Sequence, residues 1–167
     1  MTTSADAPPR ASAALVFSGP APLIAFGFGL GLSPVAPGTV ATLATLPLFH
    51  WLAPRFSDAQ LLALAAAMFA LGVWACQRAG RLLGAHDHGG MVWDEITAFL
   101  LVLIVTPREP AWQAFAFLLF RGFDIVKPPP IRRFERRFKN GFGVMADDLI
   151  AAFYALLCLA LWRALAG

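Results

Sequence analysis

The chain has 167 residues, of which 59% are hydrophobic and only 14% are charged, and its formal net charge is +3. This length suits a single domain, whereas soluble domains usually carry about 25% charged residues. With a mean hydropathy of +0.68, the composition predicts a membrane protein and leaves a very apolar soluble helical bundle as the alternative. The sequence carries no signature of a nucleic-acid-binding fold, so no nucleic-acid partner is expected.

The N-terminal part of the chain predicts two different segments. Residues 1–12 are polar, small and proline-containing, which predicts a disordered tail ahead of a single membrane-embedded domain over 13–167. Residues 13–32 are apolar but contain two prolines and four glycines. These residues disfavour a straight spanning helix and predict a re-entrant or interfacial segment. A turn-rich loop is expected over 33–39 because of its prolines and glycine.

The remaining apolar runs predict an all-α bundle of about four to five spanning helices. Residues 59–77 and 149–166 are each close to the roughly 20 apolar residues that a bilayer requires. Shorter apolar runs, which span only if their charged ends lie near the membrane surface, occupy 40–53, 96–106 and 111–120.

The distribution of basic residues predicts how the bundle is oriented. If 40–78 and 94–126 are helical hairpins, the loops at 33–39, 79–93 and 121–148 lie on one face. With Arg10 and Arg78, that face carries ten of the thirteen basic residues. The positive-inside rule therefore predicts that it is cytoplasmic. Three consecutive prolines at 128–130 are expected to end a helix and direct the following basic run away.

Six of the ten acidic residues fall in short blocks on this same face. Acids at a membrane boundary are costly unless they are paired or bound to a cation, and carboxylate oxygens are ligands that Mg²⁺ prefers. The alternative is that the adjacent pairs lie in N-terminal helix turns, where they favour the helix dipole. The six candidates are Asp87, Asp94, Glu95, Asp124, Asp147 and Asp148.

The basic residues near Asp124 suggest a phosphate site. Arg121, Asp124 and Lys127 are spaced three apart, along one helical face. Asp124 is a candidate metal ligand, and Arg121 and Lys127 are candidates for binding phosphate oxygens; the alternative is a surface salt-bridge ladder. Ser33 and Thr39 are further candidates for phosphate contact, or else they cap local backbone turns.

Several other chemistries lack their motifs in this sequence. It contains no Cys-x5-Arg loop, no Asp-x-Asp motif and no P-loop, which leaves a metal-activated water or an aspartate nucleophile. His86 and His88 have no third histidine or cysteine nearby for a zinc site. A non-enzymatic divalent-cation channel or carrier is the alternative function, and it predicts acids deep within the spans.

Four blocks of the chain resemble the phosphatidylglycerophosphatase A family. In order along the chain, they span roughly 27–152, which is most of the chain beyond the tail. The blocks are GLGLSPVAPGT at 29–39, HDHGGMVWDE at 86–95, FRGFDIVKPPPI at 120–131 and GFGVMADD at 141–148.

The resemblance implies an all-helical, Mg²⁺-dependent phosphatase of the bacterial inner membrane that converts phosphatidylglycerophosphate, its phospholipid substrate, to phosphatidylglycerol. On this hypothesis the active site faces the cytoplasm, and Arg121 and Lys127 bind the substrate phosphate. Glu95 or Asp87 orients the attacking water. Nothing in the sequence predicts an oligomeric state. The expected metal ligands are some of Asp94, Glu95, Asp124, Asp147 and Asp148.

Overall fold

A computed structural model describes residues 11–166, which form helices and turns without a β-strand. The predicted all-α class is therefore confirmed for these residues. Residues 1–10, most of the predicted disordered tail, lie outside the described residues. The helices are α1 Ala13–Val16, α2 Pro20–Ala25, a 3₁₀ helix Gly27–Leu32, α3 Pro37–Leu52, α4 Asp58–Leu83, α5 Trp93–Val105, α6 Pro110–Val126, α7 Ile131–Arg137 and α8 Gly141–Ala166.

Two of these helices are long and apolar enough to cross a membrane. They are Asp58–Leu83, which is α4, and Gly141–Leu165, which is nearly all of α8. The helices α3, α5 and α6 have 16, 13 and 17 residues, fewer than the roughly 20 that a span requires. The predicted number of four to five spanning helices is therefore not confirmed.

The C-terminal helix α8 is the centre of the bundle and packs against α4, α5, α6 and α7. Ala151, Ala152 and Ala155 on α8 are fully buried, and such small side chains let neighbouring helix backbones approach closely. Gly72 serves the same purpose on α4, since a Cβ there would collide with the sulfur of Met145.

The apolar N-terminal segment is broken into short helices, in agreement with its prolines and glycines. Pro20 begins α2, and the 3₁₀ helix contains left-handed backbone at Phe28 and Gly29, with φ of 57° and 102°. Val16 and Phe26 are buried in an apolar cluster that also includes Ala75 and Cys76 of α4. The absence of a straight helix is as predicted; the re-entrant placement in a membrane stays a prediction.

The helix expected over 149–166 is confirmed as part of α8, which begins eight residues earlier, at Gly141. Another prediction about the C-terminal third is wrong. The basic run does not turn away after the prolines. It forms α7, which packs against α8 and buries Ile131.

The helices alternate in direction, so the bundle has two distinct ends. The starts of α3, α5 and α8 meet the ends of α4 and α6 at one end, here called the acid-rich end. The turns at 53–57 and 106–109 lie at the opposite end, where Arg108 and Asp58 form an ion pair at 3.2 Å. Burial of the apolar faces that these helices pack against one another stabilises the bundle and so fixes the positions of both ends.

Candidate active site

Three carboxylates converge at the acid-rich end. Asp94 and Glu95 lie in the first turn of α5, and Asp148 lies in the second turn of α8. Each offers a ligand oxygen, and these oxygens all lie within 4.8 Å of one another. The N-terminus of α5 carries the positive end of the helix dipole, which favours the two acids there.

These carboxylates contain buried oxygens that the described residues leave without a hydrogen bond. Asp94 Oδ1, Glu95 Oε2 and Asp148 Oδ2 are each buried and have no partner there. A buried carboxylate without a partner is strongly destabilising. A hard divalent cation bound by oxygen ligands removes that cost, so the donor set fits Mg²⁺. It does not suit zinc, because it contains neither histidine nor cysteine.

Arg121 connects this group to Asp124. Its Nη1 lies 2.5 Å from Asp124 Oδ2 and 3.8 Å from Glu95 Oε1. The side chains of Arg121 and Asp124 are only 12% and 11% exposed, so solvent screens this interaction little. Arg121 Nε is also buried without a partner among the described residues. The guanidinium therefore retains a donor for another anion.

Lys127 links α6, α7 and α8 on the other side of the site. Its Nζ donates to Asp147 Oδ2 at 2.6 Å and lies 3.5 Å from Glu135 Oε1. Burial alone lowers the pKa of Lys127, but the nearby carboxylates, Asp147 above all, outweigh burial and raise that pKa above its usual value. Lys127 is therefore a permanent cation beside the three carboxylates.

Gly38 and Glu135 are site residues that the sequence analysis does not single out. A Cβ at position 38 would collide with Glu95 Oε1 and lie 3.3 Å from Arg121 Nη1, so glycine allows α3 to approach the site. Glu135 contacts Lys127 from α7. Its signal in the sequence is weak, since it is one acid within the basic run 131–139.

The other predicted residues lie outside the three-carboxylate group. Asp87 is exposed in the loop after α4, outside the three-carboxylate group, although it interacts electrostatically with Asp94. The hydroxyl of half-buried Ser33 donates to the carbonyl oxygen of Val35 at 2.9 Å. Half-buried Thr39 follows Gly38 in the first turn of α3. The structure thus brings seven predicted residues together: Asp94, Glu95, Asp124, Asp147, Asp148, Arg121 and Lys127.

The structural alternatives explain only part of this arrangement. Asp94 and Glu95 do lie in a first helix turn, but α8 has no acidic residue in its first turn. A simple Arg–Asp–Lys ladder along α6 is also incomplete. Arg121 pairs with Asp124, whereas Lys127 leaves the helix in left-handed backbone, with φ of 45°, and pairs with α8.

Fold and site together define a helical protein with two helices long and apolar enough to cross a membrane, and with carboxylates and fixed cations suited to phosphate chemistry. The sequence profile of the family described as Phosphatidylglycerophosphatase A matches residues 23–163. The chain belongs to this family, and it is therefore a phosphoric monoester hydrolase.

Two similar proteins that carry the family's name agree with the family assignment. The chain is 44% identical to phosphatidylglycerophosphatase A of Haemophilus influenzae, across 83% of this chain and 85% of the relative. It is 40% identical to phosphatidylglycerophosphatase A of Escherichia coli, across 84% of this chain and 82% of the relative. A relative from Bacteroides thetaiotaomicron, named a putative phosphatidylinositol-3-phosphatase, is 38% identical across 87% of this chain and 94% of the relative. No solved structure matches the chain.

The family assignment does not favour the cation-channel alternative. That alternative predicts acids facing each other deep within the spans. The acids instead lie at the ends of α5 and α6 and near the start of α8, beside Arg121 and Lys127. Fixed cations at this position suit an anionic substrate better than a cation pathway.

Proposed function

We propose that this protein hydrolyses phosphatidylglycerophosphate to phosphatidylglycerol and phosphate at the cytoplasmic face of a bacterial inner membrane. The observation that carries the proposal is the group of three carboxylates, each with a buried and unpartnered oxygen, flanked by Arg121 and Lys127. In a phosphatidylglycerophosphatase A family member, such a group is suited to a cation and a terminal phosphate together.

Magnesium is the proposed cofactor, with Asp94, Glu95 and Asp148 as its ligands. When bound, it supplies neutralisation of the negative charge on the phosphate being transferred. Asp124 and Asp147, which the sequence also predicts as ligands, pair with Arg121 and Lys127. We assign these two acids the role of positioning the cations.

Arg121 and Lys127 bind the terminal phosphate of the substrate. Arg121 keeps a buried Nε donor that has no partner in the described part of the chain, and an arginine guanidinium binds phosphate oxygens through two parallel hydrogen bonds. Lys127 remains protonated because of its acidic neighbours. These two fixed positive charges support the assignment, because they can stabilise the negative charge that develops during phosphoryl transfer.

Asp87 is the better of the two candidates for orienting the attacking water. Glu95 is 13% exposed and pairs with Arg121, whereas Asp87 is exposed in the loop after α4. A carboxylate that is not a metal ligand can take a proton from water as general base. Under this assignment Asp87→Asn lowers kcat at an unchanged Mg²⁺ requirement, whereas Glu95→Gln raises the Mg²⁺ concentration that activity requires.

The membrane arrangement follows from helix lengths and charge. The helices α3, α5 and α6 are roughly 24, 20 and 26 Å long, so the hairpins cross the roughly 30 Å hydrocarbon core only with their polar ends near the surface. We propose that they do so beside α4 and α8. The acid-rich end then faces the cytoplasm, because most basic residues lie there.

Phosphate release from purified full-length protein tests the proposal directly. Activity on phosphatidylglycerophosphate is expected to require Mg²⁺ and to vanish with EDTA. Asp148→Asn is expected to lower kcat at least about 100-fold, since it removes a metal ligand. The matched control is Asp58→Asn, an exposed acid at the opposite end, which should retain full activity. Undiminished turnover by the Asp148 variant would overturn the ligand assignment.

A further inference from the structure

We propose that an apolar groove of about 530 Å³ beside the carboxylates binds one acyl chain of the phospholipid substrate. This inference rests on the proposed function, because it concerns the same substrate. The groove lies between α3 and α4, and residues of the 3₁₀ helix and of the start of α5 line it as well. Its volume lies within the roughly 300–1,000 Å³ typical of ligand sites.

The lining of the groove offers nothing to a polar ligand. Thr45 is its one hydroxyl-bearing side chain, and Thr45 Oγ1 donates to the Ala41 carbonyl oxygen at 2.9 Å. The indole Nε1 of Trp93 donates to the Met68 carbonyl oxygen, also at 2.9 Å. With both donors satisfied inside the protein, the groove suits a hydrocarbon chain and not a headgroup.

The groove lies next to the three-carboxylate group. Trp93 and Ile96 line it, and Asp94 and Glu95 lie between them in the sequence. On the other wall, Gly38 contacts Glu95 one turn before Ala41, where the lining of α3 begins. A lipid whose terminal phosphate lies at the carboxylates therefore has its acyl chains beside the head of the groove.

The direction and length of the groove match one membrane leaflet. Its wall on α3 extends from Ala41 to Leu52, which is roughly 17 Å at the rise of an α-helix. Half of a bilayer hydrocarbon core is about 15 Å. On α4 the wall extends from Leu71 near the site to Leu64. An acyl chain that starts at the acid-rich end thus fits along the groove.

Small side chains create the space, and exposed apolar residues mark its opening. Ala44 and Ala67 lie in the two walls, where larger residues would fill the groove. Phe28, Leu48 and Leu71 line it and are also exposed, so the groove opens sideways to the surrounding lipid. The chain moves from lipid to protein and not from water, so the groove contributes orientation more than hydrophobic free energy.

Filling the groove tests this proposal. The variants are Ala67→Phe and, on the opposite wall, Ala44→Phe. The matched control is Ala66→Phe, an exposed residue of α4 that does not line the groove. Each purified full-length protein is assayed on long-chain diacyl phosphatidylglycerophosphate in detergent micelles. It is also assayed on the glycerophosphoglycerol phosphate headgroup without acyl chains.

The groove variants are expected to lower kcat/KM for the diacyl substrate on the order of threefold to tenfold, because the headgroup is less well oriented. Their activity on the chain-free headgroup, and both activities of the Ala66 variant, should match the unsubstituted protein. The proposal is overturned if the groove variants match the control on the diacyl substrate. Equal losses on both substrates overturn it too, since they indicate damage to the catalytic groups.

A second measurement does not depend on turnover. Vesicles of phosphatidylglycerol with a photoreactive diazirine in one acyl chain are irradiated with the protein, and the labelled peptides are mapped by mass spectrometry. Labels concentrated in 41–52 and 64–71, and reduced in the Ala67 variant, support the groove. Uniform labelling of all lipid-facing helices overturns it. If the unsubstituted protein is labelled in these segments but does not hydrolyse phosphatidylglycerophosphate, the proposed function is wrong while acyl-chain binding in the groove is supported.

Discussion

The two ends of the bundle use the same kinds of charged residue in opposite ways. At the end with the turns 53–57 and 106–109, opposite the acid-rich end, Arg108 and Asp58 pair at 3.2 Å. Their side chains are 57% and 65% exposed. At the acid-rich end, Arg121 and Asp124 pair at 2.5 Å and are almost buried. An exposed pair contributes about 0–1 kcal/mol to stability. Buried charges instead cost stability unless each is satisfied, so their presence indicates a site.

The contrast is sharper still for unpaired oxygens. The acid-rich end holds three buried carboxylate oxygens that no described residue satisfies, whereas Asp58 is open to solvent. A folded protein that keeps such groups gains something else from them, and here we propose that the gain is Mg²⁺ and substrate binding. Matched substitutions at the two ends test this interpretation.

Replacing the buried arginine is expected to have the largest effect. Arg121→Lys keeps the charge but loses the planar, two-pronged donor geometry, so kcat/KM should fall at least about 100-fold. Arg108→Lys is the control at the opposite end and should leave turnover unchanged. Phosphate-release kinetics measure both variants. Equal activity of the two would show that Arg121 is not at the phosphate.

Adding one methyl group to Gly38 should have the second-largest effect on activity. In Gly38→Ala the new Cβ collides with Glu95 Oε1. Displacing a metal ligand is expected to reduce kcat on the order of tenfold and to raise the Mg²⁺ concentration for half-maximal activity.

The control is Gly122→Ala on α6, where a Cβ meets nothing within 4 Å. Alanine there should keep full activity and stabilise the protein by up to about 1 kcal/mol. A Gly38 variant as active as the Gly122 variant would contradict the close approach of α3 to Glu95.

Glu135→Gln should have a smaller effect on catalysis. The substitution removes one of the two acids that contact Lys127, but Asp147 still holds its ammonium group at 2.6 Å. We expect KM to rise roughly threefold with little change in kcat, since a less firmly held cation binds phosphate less well. Glu109→Gln, an exposed acid at the opposite end, should change neither constant.

Breaking the exposed ion pair should have the smallest effect. Arg108→Ala removes the contact with Asp58 and is expected to lower the free energy of unfolding by at most about 1 kcal/mol, with activity unchanged. Denaturation of the purified protein in mild detergent measures the difference. A loss of several kcal/mol would mean that the opposite end is as tightly coupled as the site.

Local patterns in the sequence predicted the helices well where the pattern was long and uniform. The run at 59–77 lies within α4, and the prolines and glycines of 13–32 break that segment as expected. The start of α8 was missed because Asp147 and Asp148 interrupt its apolar pattern. Their carboxylates are buried against other helices, and a hydropathy pattern cannot distinguish such acids from a solvated loop.

The helical, apolar character of the chain, and the acidic and basic residues near its helix ends, follow from the sequence alone. Those properties depend on composition and on spacing along one helix. Tertiary packing, by contrast, is what makes Asp94, Glu95 and Asp148 converge while Asp124 and Asp147 pair with cations. It also placed Gly38 against Glu95. These contacts join helices far apart in the chain, and packing of their apolar faces sets which side chains meet.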